Sequence, residues 1–261
     1  EGVLKAIGTE PTIMIEPKGI NPFSIPNRLK VIMTSNSDWV VPAGVHDRRY
    51  LVLDVSANRR GDEKYFDALY KQIDEQGGAE AFLQMLLDID LNGFNPRKRP
   101  NTTALERQKE LSLSGVSAWL YDCLLAGEFG ARKSLEGSVR LEPVELKPEG
   151  GYSPLPTPTV GDVRDAWRGS MVQADKHDVY DAFKSWFGEP ANRHRNGARP
   201  PPESQFWRSV YKLTNDTIRD YRPAPGPDGK RPPRVAAMQP LGSVRAAFAV
   251  QTGINFEEDD P

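Results

Sequence analysis

The chain reads as an α/β protein: a first region of strands and helices, then a helical region, then a small α+β domain. Three observations predict this. Residues 29–33 and 50–55 are short apolar runs rich in β-branched side chains, the character of strands buried on both faces. From Tyr65 onward apolar residues recur at three-and-four spacing, as on helices. Residues 141–158, dense in Pro and Gly, then part these elements from a second set of helical faces.

Composition narrows the class further. At 261 residues the chain has length for one large or two modest domains with proper cores. No apolar run approaches the roughly 20 residues that span a bilayer, so no membrane partner is expected. Cys123 is the single cysteine and His46, His177 and His194 are scattered, which excludes an internal disulfide and a Cys/His zinc site of normal spacing. With no secretory signal at the N-terminus, a reducing cytoplasm is the expected setting. The net charge of −2 hides an asymmetry: residues 159–256 carry 15 basic against 10 acidic side chains, and 257–260 are all acidic.

Element by element, residues 12–16 and 23–25 are extended runs around Pro17-Lys18-Gly19-Ile20-Asn21-Pro22, which predicts a hairpin with Lys18 near its tip. Tyr65, Phe66, Leu69, Tyr70 and Ile73 make a helix face opened by Asp62 and stopped by Gly77-Gly78; Phe82, Leu83, Leu86, Leu87 and Ile89 make a second. Thr103 with Glu106 reads as a capping box for a third, and Trp119, Leu120, Cys123 and Leu124 as a fourth face closed by Gly127. Later, Val179, Tyr180, Phe183, Trp186 and Phe187 form one face, and Phe206, Trp207, Val210, Tyr211 and Leu213 another, with Ser204 as N-cap. A basic Pro/Gly-rich excursion at 222–234 precedes an apolar run at 235–238. Helix, helix, basic hairpin is the order of a winged-helix domain.

Two constellations carry chemistry. The run 29–34 leads into Ser35-Asn36, and a polar amide at the end of a buried strand is placed to hold a water or a γ-phosphate oxygen. Asp47-Arg48-Arg49 follows one loop later, where an arginine reaches a nucleotide held by a neighbouring subunit. Each has a plainer reading: Asn36 as a turn residue, the arginines as surface partners of Asp47, Lys18 as a solvated tip. In the basic region, Arg193, Arg195, Arg199, Lys230, Arg231 and Arg234 lie in Pro/Gly-rich loops and Arg208 and Lys212 on the helix between them, each suited to one DNA phosphate. Tyr180, Trp186, Trp207 and Tyr211 sit at core spacing and are assigned to packing.

Taken together, the hairpin with Pro17-Lys18-Gly19, residues 27–36, Trp39-Val40-Val41-Pro42 and Asp47-Arg48-Arg49-Tyr50 resemble the superfamily 3 (AAA+-type) helicase domain of phage and plasmid primase-helicases, related to the poxvirus primase-helicase. The resemblance implies an ATPase core over 1–58, a helical region over 59–140, a linker over 141–158, a winged-helix-like DNA-binding domain over 159–256 and an acidic tail over 257–261. It implies Lys18 as the hairpin lysine on single-stranded DNA, Asn36 as the nucleotide sensor and Arg48 or Arg49 as the arginine finger. It further implies ATP and Mg2+ in an intact homo-hexamer working with a primase domain in cis or trans, inside a bacterial host. The pattern G-x-x-x-x-G-K-[ST] and a strand ending in paired acidic residues are missing, so a C-terminal fragment is expected, with no cofactor and no ATP hydrolysis of its own. The rival reading is a non-catalytic DNA-binding or replication-initiation module on a degenerate ATPase remnant.

Overall fold

The computed structural model describes residues 2–44, 47, 49–95, 98, 100, 102–129, 139–146, 152–154, 167–223, 229 and 232–256. They form a mixed α/β protein with two antiparallel sheets, one of two strands and one of five. The chain divides into one unit of Glu1–Arg49 with Glu106–Pro261 and another of Tyr50–Leu105.

In the first unit, helix α1 (Gly2–Thr9) precedes the hairpin of β1 (Thr12–Ile15) and β2 (Phe23–Pro26), registered Thr12 to Pro26 and Ile15 to Phe23. The expected hairpin is present. Its turn places Gly19 at φ +81°, a conformation that a side chain resists, and Ile20 N–H donates to the Pro17 carbonyl at 3.3 Å. Asn27 Nδ2 then donates to the carbonyls of Ile7 and Glu10, both at 2.8 Å, which clips the hairpin exit to the end of α1.

The two central strands expected at 29–33 and 50–55 are not there. Neither run joins a sheet and both are largely exposed, with Ile32 and Val55 each 93% accessible. A β-branched run becomes a strand only when neighbours supply ladder hydrogen bonds and a covering layer, and none of the described residues does so.

The second unit holds α2 (Glu63–Glu75) and α3 (Gly78–Leu87). Asp62 caps α2 by accepting from Tyr65 N–H, and Gly77 ends it in the left-handed region, as the pattern predicts. Their apolar faces are open: Tyr70 is 59% exposed, Phe82 59% and Leu87 71%.

Helix α4 (Thr103–Leu111) is capped one residue earlier than expected, by Thr102 Oγ1 accepting from Leu105 N–H at 3.2 Å. Gln108, 4% exposed, is its structural bolt. Its Oε1 accepts from Val40 N–H at 2.7 Å and its Nε2 donates to the Asp38 carbonyl at 2.6 Å, fastening residues 38–41 to the helix. Helix α5 (Gly115–Ala126) follows and ends at Gly127, φ +72°.

Residues 141–158, expected as a linker, instead contribute β3 (Glu142–Leu146) and β4 (Tyr152–Pro154). The ladder tolerates Pro143 because β4 pairs only from Val144 onward, so at Pro143 the strand has a neighbour on one side. The remaining elements are β5 (Met171–Asp175), α6 (Lys176–Gly188), α7 (Glu203–Leu213), β6 (Ile218–Tyr221), β7 (Val235–Met238) and α8 (Leu241–Thr252). The sheet order is β4-β3-β5-β7-β6. Two helices therefore lie between β5 and β6, and β7 returns to fill the place between those strands.

The core is aromatic. Trp119 of α5 packs against Phe183 of α6 and Phe206 of α7 at ring separations of 5.5 and 5.3 Å, and the two phenylalanines stack at 4.8 Å. All three are fully buried. Trp186 and Trp207 are buried beside them, with Tyr180 and Tyr211 packed at the margin. Among the described residues no helix is long and apolar enough to cross a membrane.

Two outcomes follow. Phe183→Ala is expected to cost about 3–5 kcal/mol, through reduced burial and the cavity left between three helices, measured by urea unfolding. Gln108→Ala removes its bonds to the Val40 and Val41 N–H groups and to the Asp38 carbonyl, and is expected to cost about 1–3 kcal/mol. It should open residues 38–41 to limited proteolysis while leaving cleavage within α7 unchanged.

Candidate nucleic-acid interface

The placement of α7 begins with the connection that leads into it. Residues 189–202, read from sequence as a basic loop, include a 3-10 turn at Pro190–Arg195. Asn192 Nδ2 donates to the Trp186 carbonyl at 2.9 Å, Asn196 Nδ2 to that of Phe187 at 2.9 Å, and Tyr180 Oη to that of Pro201 at 2.9 Å. These bonds stitch the connection onto α6, so the start of α7 is held. Its N-cap is Pro202, not Ser204 as expected. Ser204 stands in the first turn with its side chain exposed.

Phe206, Trp207 and Val210 turn inward, which leaves the other side of α7 facing out. Ser204, Gln205, Arg208, Ser209 and Lys212 line a shallow groove along it. Arg208 and Lys212 are exposed and make no ion pair among the described residues. Ser209 Oγ donates back to the Gln205 carbonyl at 3.0 Å, which leaves the Gln205 carboxamide itself uncommitted.

A second depression adjoins the first, lined by Lys176, Glu203, Ser204, Trp207, Arg208 and Tyr211. Lys176 Nζ lies 4.9 Å over the Trp207 ring and 3.0 Å from Asp220 Oδ1. Asp220 also pairs with Arg234 across the β6-β7 ladder. Burial pushes the Asp220 carboxyl upward, but the hydrogen bond and charge of Lys176, then those of Arg234, outweigh it and hold it below the usual carboxylate range. Lys176 is raised: burial opposes its charge, and the Tyr211 hydroxyl and Asp220 more than compensate. Burial is also the main cause that raises the Tyr211 phenol.

The basic residues singled out from sequence divide into three groups. Arg193, Arg199, Arg208 and Lys212 are exposed. Arg195, expected in an exposed loop, is instead partly buried at 3.5 Å from Asp122 Oδ2, an oxygen that also accepts from Trp186 Nε1 at 3.1 Å. Arg234 is likewise committed, to Asp220. Lys230 and Arg231 lie outside the described residues, as does the acidic tail at 257–260.

The nucleotide-handling candidates are not brought into one site. Lys18 is exposed at the hairpin turn, and Asn36 is exposed on a bend rather than at a strand end. Arg49 turns back onto Asp47: its backbone N–H donates to Oδ1 at 2.8 Å and its Nη1 to Oδ2 at 3.2 Å, while Asp47 is 5% exposed. Arg48 lies outside the described residues. Sequence reasoning did not single out Gln205, Ser204 or Ser209 as contact residues. The signal was their position opposite Phe206, Trp207 and Val210 on the helical wheel.

Residues 1–49 match the model of a family described as a family of unknown function (DUF5906). No curated protein and no solved structure matches the chain.

The Asp220 arrangement has a definite pH signature. A depressed carboxyl stabilises the fold above its ordinary range and loses that contribution as pH falls through its folded value. A raised lysine contributes below its ordinary value and loses it as pH rises through the folded one. The pair is partly open to solvent, so screening limits it to about 1 kcal/mol. Asp220→Asn should therefore lower stability by about that amount at neutral pH, with the gap to wild type closing in urea titrations as pH falls below the usual carboxylate range.

Proposed function

We propose that this chain binds duplex DNA through α7, as part of a replication protein of the superfamily 3 primase-helicase type. The observation that carries the reading is the strand order β5-β7-β6 with α6 and α7 between the first and last of these strands. We read that order as a winged-helix arrangement, in which the second helix would enter the major groove. The outward polar face of α7, with uncommitted Arg208 and Lys212, supports it. So do Arg193 and Arg199, exposed on the stitched connection leading into the helix.

The resemblance of residues 12–50 adds the setting: a phage or plasmid protein whose ring-forming ATPase accompanies this DNA-binding region. ATP and magnesium do not fit the residues present. The sequence holds no phosphate-binding loop, Arg49 is held on Asp47 and Asn36 lies on an open bend. The function is therefore read as DNA binding, which favours the non-catalytic module for this chain taken by itself.

The test is duplex binding by the full chain across a salt series. Changing Arg193, Arg199 and Lys212 together to Ala should weaken binding at least about tenfold at moderate salt and flatten the log-log salt slope, by up to about 0.9 for each phosphate no longer neutralised. Lys18→Ala should leave duplex binding unchanged. No duplex binding at low salt, or a triple variant that binds as wild type does, would overturn the proposal.

A further inference from the structure

Resting on that reading, we infer that α7 reads base edges, with Gln205 and Arg208 as the specificity-determining residues and Lys212 as the phosphate contact at its far end. The outward face of the helix has an order along its length. Glu203 stands in the first turn, Ser204 and Gln205 follow, Arg208 is central and Lys212 closes the stripe. Phosphate oxygens only accept hydrogen bonds, so a surface built for phosphate alone has no use for a carboxylate or for the acceptor half of a carboxamide. Glu203 repels a phosphate near the helix start. Gln205 offers one donor group and one acceptor, the pattern that pairs with the N6 and N7 edge of adenine. Arg208 offers the planar fork that fits O6 and N7 of guanine.

Geometry supports the division. Gln205, Arg208 and Lys212 lie at i, i+3 and i+7, one stripe of a helix rising about 1.5 Å per residue, so Gln205 and Lys212 stand about 10.5 Å apart along the axis. That length matches roughly three base steps of about 3.4 Å. The small Ser204 and Ser209 beside the stripe leave the groove that lets the helix approach. Nothing competes for the readers: neither Gln205 nor Arg208 has a side-chain partner among the described residues, whereas Lys176 and Arg234 are held by Asp220. Base reading of this kind also selects DNA over duplex RNA, whose major groove is too deep and narrow to admit a helix.

The experiment is selection from a duplex DNA library with a randomised centre, using the full chain, followed by titration of the selected duplex and its single-base variants. Wild type should select a short core holding a guanine with an adenine close by. Arg208→Lys keeps the charge but loses the fork, and discrimination at the guanine should fall about tenfold. Gln205→Ala should relax the adenine position alone, and Lys212→Ala should weaken all duplexes alike while lowering the salt slope by about one. All three side chains are exposed, so matching melting curves establish that the variants fold. Equal affinity for every sequence overturns this inference and leaves the proposed function standing. A preference that survives both Arg208→Lys and Gln205→Ala also overturns it, as does duplex RNA bound as tightly as DNA. Failure to bind any duplex overturns the proposed function and this inference together.

Discussion

The packing of Trp119 against the stacked pair Phe183 and Phe206 is the contact on which the outward geometry of this protein depends. It joins α5, α6 and α7 at one point, and each ring is removed completely from water. Edge-on and stacked rings have preferred separations and angles, so they orient the helices that carry them more strictly than aliphatic packing does. The inner face of α7 is fixed by Phe206, Trp207 and Val210, and a rigid helix then leaves its opposite stripe no freedom to face elsewhere. The polar groups around the cluster serve the same end. Asp122 receives both Trp186 and Arg195, and Arg245 Nε donates to the Leu124 carbonyl at 2.9 Å near the end of α5.

Where local rules govern, the sequence was legible. Asp62 and Gly77 bound α2 because a carboxylate satisfies free N–H groups and a glycine reverses the chain without strain. Gly19 marks the hairpin for the same reason. The aromatic stripes on α6 and α7 told core from surface by helical period alone, and the elements from residue 171 onward follow the expected helix, helix, hairpin order. Where partners decide, local rules failed. Residues 29–33 and 50–55 have strand composition but no pairing neighbour among the described residues. Residues 142–146 have linker composition, yet they find β5, and the one residue that cannot donate lies where only one neighbour pairs.

The candidate site shows the same split. Exposed cations on α7 are readable from the wheel, but an ion pair between distant residues is not. Arg195 and Arg234 looked like free basic groups until the fold set Asp122 and Asp220 beside them. Arg49 is the reverse case: its neighbour Asp47 was visible in sequence, and the plainer reading of a local partner is the geometry seen.

The stitched connection between α6 and α7 also bears on how quickly a ligand is captured. A segment that must order itself on contact surrenders conformational entropy at that moment and slows productive docking. Here Tyr180, Asn192 and Asn196 have already tied the segment down, so that entropy is lost during folding and not at encounter. On the proposed reading, the helix would meet DNA as a finished surface, with orientation the main thing left to find. Long-range attraction from the exposed guanidinium groups at 193 and 199 would then act directly on the rate of arrival of that DNA.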